Sequence, residues 1–231
     1  MLIASIRKIL QGLTRASNKV EWHKLRSLQP ISEQFGLERG TPIDRYYIES
    51  FLHQQKQHVK GVALEIAESV YTKEFNSGVT AFEVLHIDPN HAQATLVGDL
   101  SKPLLLPEDR IDCFICTQTL NFIFDVQQAV IGIHRMLRPG GTALVTVAGL
   151  TQISRYDMDR WGDFWRFTNK GIGQIFENTF GKDQIEVFTF GNVLSATALL
   201  QGISVEELQP EELNYNDPNY QVVIAIKATK V

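Results

Sequence analysis

From Gly61 onward the chain alternates short, almost wholly apolar runs with segments of helical periodicity, and few architectures satisfy that pattern. Val62–Ile66, Ala81–Ile87, Ala94–Val97, Ile111–Cys116, Thr142–Ala148, Ile185–Phe190 and Val222–Ala228 each have the length and composition of a strand. Between them, Val126, Val130, Ile133, His134 and Leu137 mark a helix that stops at Arg138-Pro139-Gly140-Gly141. Further helices are predicted before Gly181 and over Asn192–Leu200. Strands that are apolar on both sides must be covered on both faces, which means a largely parallel sheet between two helical layers. Upstream, Thr41-Pro42-Ile43-Asp44 reads as an N-cap, a proline at the first helical position and an acid in the first turn, with Ile43, Tyr46, Tyr47 and Phe51 on one stripe.

Composition narrows the classes further. The 231 residues are 44% hydrophobic and 21% charged, an ordinary globular mixture. The longest apolar run, Gly141–Leu150, is interrupted by two threonines and falls short of a membrane span. Two cysteines make no disulfide framework and no secretion signal is visible, so the expected place is the reduced cytoplasm. The net charge of −4 is unevenly spread. Residues 1–30 hold six cations against Glu21 alone, a net of +5, which leaves −9 on the remainder. An acidic body gives no nucleic-acid footprint. The basic arm carries Leu2, Ile3, Ile6, Ile9, Leu10 and Leu13 at helical spacing, so residues 1–26 could meet a membrane surface or a protein partner, or pack on their own domain. The expected organisation is a basic helical extension over 1–40 and one α/β domain over 41–231.

In open α/β sheets ligands bind beyond the carboxyl ends of the strands, at the point where strand order reverses. Glu65, Asp88 and Asp99 end the first three strands, and Thr117-Gln118-Thr119 follows the fourth. Glu65 and Asp88 are 23 residues apart, close to the spacing at which a carboxylate after the second strand takes ribose hydroxyls.

These residues, with Val97-Gly98-Asp99-Leu100, Ile111-Asp112-Cys113 and the run from His134 to Gly141, resemble class I S-adenosylmethionine-dependent methyltransferases over about residues 61–148. Thr41–Phe51 and Gln152–Thr168 resemble a bacterial subgroup associated with glycosyltransferases and polysaccharide genes. The resemblance implies a Rossmann-like, doubly wound sheet of seven strands with the last antiparallel, and S-adenosylmethionine as cofactor. It puts Glu65 and Ala67 near the methionine moiety, Asp88 on the ribose, Gly98, Asp99 and Leu100 around the adenine, and Thr117 and Gln118 near the sulfonium. The acceptor implied is a small or glycan-linked molecule, methylated on oxygen or less readily on nitrogen. One departure is large: where the family's first loop carries three glycines, this chain has Ala67, Ser69 and Tyr71. Glycine there allows a tight turn and close backbone approach. A non-catalytic scaffold of the same fold is therefore the alternative. A nicotinamide oxidoreductase is disfavoured, because no G-x-G-x-x-G follows the first strand.

Residues 151–168 should form an aromatic lid above the site, with Tyr156, Asp159 and Trp161 toward the acceptor and Trp165–Thr168 structural. No residue stands out as catalytic; Asp157, Asp159 and His86 are the candidate bases. No metal site is expected. Cys113 and Cys116 have C-x-x-C spacing, but three residues along a strand put them on opposite faces.

Overall fold

The computed structural model describes residues 23–231. The amphipathic helix expected over residues 2–13 lies outside the described residues. Seven strands form one sheet: β1 (Gly61–Ile66), β2 (Val79–His86), β3 (Leu96–Val97), β4 (Ile111–Thr117), β5 (Leu137–Ala148), β6 (Ile185–Phe190) and β7 (Val223–Thr229). Their order is β3-β2-β1-β4-β5-β7-β6. β7 runs antiparallel to β5 and β6, between which it is inserted, and the pairs from β3 through β5 are parallel. Strand order reverses between β1 and β4, the crevice where such sheets bind ligands.

Helices cover both faces. They are α1 (Ile43–Gln54), α2 (Val70–Glu74), α3 (Val126–Met136), α4 (Arg155–Met158), α5 (Asn169–Phe180), α6 (Val193–Gln201) and α7 (Pro210–Asn214). α3 and α5 bring Val130, Ile133 and Phe176 onto Phe114, Val145 and Ile226. α1 and α6 bring Phe51, Leu52 and Leu199 onto the opposite face, against Ile115, Leu144 and Ala225. Adjacent strand residues go to opposite cores, which is why each strand is apolar throughout. Cys113 and Cys116 divide the same way, both buried and unpaired. Among the described residues no helix is long and apolar enough to cross a membrane.

Three local expectations are corrected. Thr41 does not cap α1; Pro42 holds the cap position, and the Thr41 amide and hydroxyl donate to Glu206 at 2.9 and 2.8 Å. β3 shrinks to two residues because the Thr95 hydroxyl accepts from the Val84 amide at 2.9 Å. Leu137 begins β5 instead of ending α3, and Arg138 reaches Asp112 Oδ2 at 2.9 Å. One compact unit spans Ile31–Val231. Ser32 N donates to Gln201 O at 3.0 Å, tying this segment to the end of α6.

Gly149, at the end of β5, donates to Val222 O at 3.0 Å, and a Cβ there would overlap the Gln221 carbonyl. Gly149→Ala is expected to cost about 3 kcal/mol by overpacking at a backbone contact. An unchanged urea midpoint would show that β5 and β7 can part here without loss.

Candidate functional site

The carboxyl ends of β1 and β4 open into a cavity of about 590 Å³. Its floor is Glu65, Ala67, Thr117 and Gln118, four of the residues singled out from the sequence. α1 supplies one wall with Asp44, Arg45, Ile48 and Glu49; Phe35 and Leu37 come from the segment before it. The opposite wall is Asn121, Ser154, Asp157 and Arg166.

Glu65 is 4% exposed and its carboxylate caps α2. Oε1 accepts from Tyr71 N at 3.2 Å, and Oε2 from Thr72 N at 2.8 Å and the Thr72 hydroxyl at 3.0 Å. Burial pushes its pKa up, while the two amide bonds pull it down less strongly. Ala67 holds φ 64°, a left-handed conformation that favours glycine. The His91 Nε2–H donates to Ala67 O at 2.7 Å and steadies that turn. Tyr71, at the third glycine's place, lies in the first turn of α2, stacks on Phe75 at 6.2 Å and lines the cavity; burial pushes its phenol up to about 12.

Gln118 is also left-handed, at φ 48°, and its buried Nε2 has no partner among the described residues. Strain together with an orphaned donor at a strand end is a pattern of ligand sites. On α1, burial raises the Asp44 carboxyl despite its bond from Arg45 N, and burial and then Glu74 raise Glu49. Neither residue was marked from sequence as a site residue, because nothing in the spacing says that α1 swings over the crevice.

Asp88, Gly98, Asp99 and Leu100 do not line this cavity. β2 ends at His86, and Asp88 sits in the following turn, exposed, with Oδ1 accepting from Asn90 N at 2.9 Å. That bond, the largest cause, lowers its pKa. The His86 ring stacks on His91 at 4.0 Å and accepts from Asp88 N at 3.0 Å. Asp99 takes the Ser101 amide and hydroxyl at 2.9 and 2.7 Å; burial works to raise it, but these bonds and Lys102 hold it below its ordinary value. A Cβ on Gly98 would strike Leu106, and Leu100 is buried in the core.

Three residues expected to face the acceptor, Tyr156, Asp159 and Trp161, lie away from this cavity. Tyr156 lies under the Arg160 guanidinium at 3.5 Å, Asp159 pairs with Arg155 at 3.6 Å, and Trp161 meets the edge of His86 at 6.3 Å. All three are exposed and none lines the cavity. Short polar groups take their place: Asp157, whose Oδ2 accepts from the Ser154 hydroxyl at 2.6 Å, and Arg166, which clamps Asp163. Of the three candidate bases, only Asp157 faces the cavity. Trp165 is structural: its indole donates to Phe124 O at 3.2 Å, and its amide and that of Phe164 bond to Asn121 O. Among the described residues no three His, Cys, Asp or Glu side chains gather as a metal site.

Residues 62–145 match the family model described as a methyltransferase domain. An S-adenosylmethionine-dependent methyltransferase from Archaeoglobus fulgidus shares the fold at a TM-score of 0.53, with 13% identity over 80% of this chain and 94% of that one. One from Mesorhizobium loti matches at 0.52, with 15% identity over 81% and 98%. No curated protein matches the chain. The segment 62–145 is thus similar to a methyltransferase domain, a similarity that implies S-adenosylmethionine as cofactor. The site fits that group: the first loop turns through Ala67 at a φ that favours glycine, and Gln118 Nε2 is a buried donor in need of an acceptor.

Proposed function

We propose that the chain moves a methyl group from S-adenosylmethionine to a hydroxyl oxygen of a small or glycan-linked acceptor, in the cytoplasm, as a step in polysaccharide assembly. The observation that carries this reading is the cavity at the β1 and β4 ends, where carboxylates and amides stand among the lining side chains and the segment after β5 forms the roof. A hydroxyl-rich molecule needs such donors and acceptors, where an apolar acceptor needs none.

When bound, the cofactor supplies a methyl group already activated on a sulfonium. The protein's own work is then positioning and exclusion of water. In this reading Glu65, Ala67, Thr117 and Gln118 hold the methionine end. Asp88, Gly98, Asp99 and Leu100 flank the nucleoside at the β2 and β3 ends. Asp157 faces the acceptor and can take its proton. The decisive experiment is calorimetry with S-adenosylhomocysteine, followed by tritiated methyl transfer to sugar nucleotides and envelope-glycan precursors. Absence of binding at millimolar S-adenosylhomocysteine would leave the non-catalytic scaffold.

Asp88→Ala is expected to weaken S-adenosylhomocysteine binding about tenfold, since hydrogen bonds to a charged group are typically worth about 1.5–3 kcal/mol and one Asp88 oxygen is already engaged by Asn90. Asp88→Asn should lose less. Unchanged affinity would shift the ribose contact to the His86–His91 pair.

A further inference from the structure

The loop that leaves β1 passes through a residue that resists the turn it makes. Glu68 N donates to Ile66 O at 2.8 Å, which closes a three-residue turn around Ala67, and Ala67 holds φ 64°. A γ-turn of this hand is the rare, strained one, and alanine takes it at a cost that glycine escapes. Such a conformation persists where the surroundings over-determine it. Three hydrogen bonds meet here. Two join backbone groups, Glu68 N to Ile66 O and Ala67 N to Leu85 O at 3.0 Å. The third comes from a side chain: His91 Nε2–H donates to Ala67 O at 2.7 Å.

His91 is itself braced. Its ring stacks on His86 with centroids 4.0 Å apart and planes 18° from parallel. Its amide donates to Asp88 O at 3.2 Å, and its carbonyl accepts from Ala94 N at 3.0 Å. His86 is fixed in turn, because its Nδ1 accepts from Asp88 N at 3.0 Å. A rigid turn after β2 thus reaches back 24 residues to hold the turn after β1. That second turn is part of the site. Glu65, Ile66, Ala67, Glu68, Val70 and Tyr71 all line the cavity, whereas His91 does not. A change of φ at Ala67 would redirect every residue between it and α2.

We propose that His91 is a positioning residue for the cofactor, imposing on Ala67 the left-handed turn that a glycine would adopt unaided. The inference rests on the methyltransferase reading and adds to it a residue outside the cavity. The alanine that stands where the resemblance calls for glycine is then compensated from the end of β2.

The test is a mutant cycle read by calorimetry with S-adenosylhomocysteine. His91→Phe keeps a ring to stack on His86 and removes the donor; it should weaken binding about five- to tenfold, the loss of one hydrogen bond. His91→Gln, whose amide still donates, should lose less than about threefold. On an Ala67→Gly background His91→Phe should lose almost nothing, since glycine takes the turn without help. In the protein without S-adenosylhomocysteine, the intraresidue NOE between the Ala67 amide and α protons is strongest at positive φ. It should fall in His91→Phe and persist in His91→Gln. Unchanged affinity in His91→Phe, an undiminished loss on the Ala67→Gly background, or an Ala67 NOE that ignores His91→Phe overturns the proposal. Failure of the wild type to bind S-adenosylhomocysteine overturns the methyltransferase reading instead, and the NOE still decides whether His91 sets the turn.

Discussion

Arg166→Leu is expected to cost about 3–5 kcal/mol of stability, because it strands a buried carboxylate. The Asp163 side chain is 1% exposed. Arg166 meets both its oxygens, at 2.5 and 2.8 Å, and Ser154 N donates to Oδ2 at 3.3 Å. The same guanidinium bonds Gln152 O at 2.6 Å, Thr151 O at 3.3 Å and Trp165 O at 2.8 Å. One side chain thus closes both ends of the segment over the cavity. Asp163→Ala should cost less, about 2 kcal/mol, since Arg166 is about a quarter exposed and keeps its three carbonyls. The double variant should be more stable than Arg166→Leu alone, because it removes the unpaired charge along with its partner. Urea unfolding of the four proteins gives the cycle. Single variants within about 0.5 kcal/mol of wild type would make the pair a solvated one.

The same clamp shows why the lid was only half legible. Tyr156 and Trp161 draw attention as aromatic residues, yet their rings find local partners in Arg160 and His86 and stay exposed. What faces the cavity is Ser154, Asp157 and Arg166, short or charged groups of a kind found on any surface. The sheet was far more legible. Phe114 and Ile115, or Leu144 and Val145, enter opposite cores, so burial on both faces is written directly into the composition of β4 and β5. Glu65, Ala67, Thr117 and Gln118 follow from the sheet, since chain order fixes which residues end β1 and β4. Asp44 and Glu49 do not follow, because α1 precedes the sheet and its position over the crevice is set by packing of Phe51 and Leu52 against the far core. Asp88 was misplaced as a strand end by a small boundary difference: β2 stops at His86, which leaves an imidazole on the last rung.

Glu65→Ala is expected to weaken S-adenosylhomocysteine binding about 10- to 100-fold and to cost about 2–4 kcal/mol of stability. Both effects come from one carboxylate. Its removal leaves the Tyr71 and Thr72 amides at the start of α2 without acceptors, at about 1–3 kcal/mol for each buried donor. It also takes away a negative charge beside the proposed place of the cofactor's methionine end. The pH dependence separates the two roles. Burial raises the Glu65 pKa, so from the ordinary carboxylate range up to the raised value the native state holds a proton that the unfolded chain has released. Stability from this group is therefore greatest below that window and falls as pH rises through it. The α-ammonium of S-adenosylhomocysteine has the opposite preference, because it favours the ionised carboxylate. S-adenosylhomocysteine affinity should then rise with pH across the same window, with protons released on binding. Glu65→Gln, which cannot ionise, should flatten both dependences while keeping one oxygen for the helix amides. Calorimetry in two buffers of different ionisation enthalpy reads the proton release directly. Equal proton release by wild type and Glu65→Gln would confine Glu65 to holding α2 in place and remove it from the cofactor.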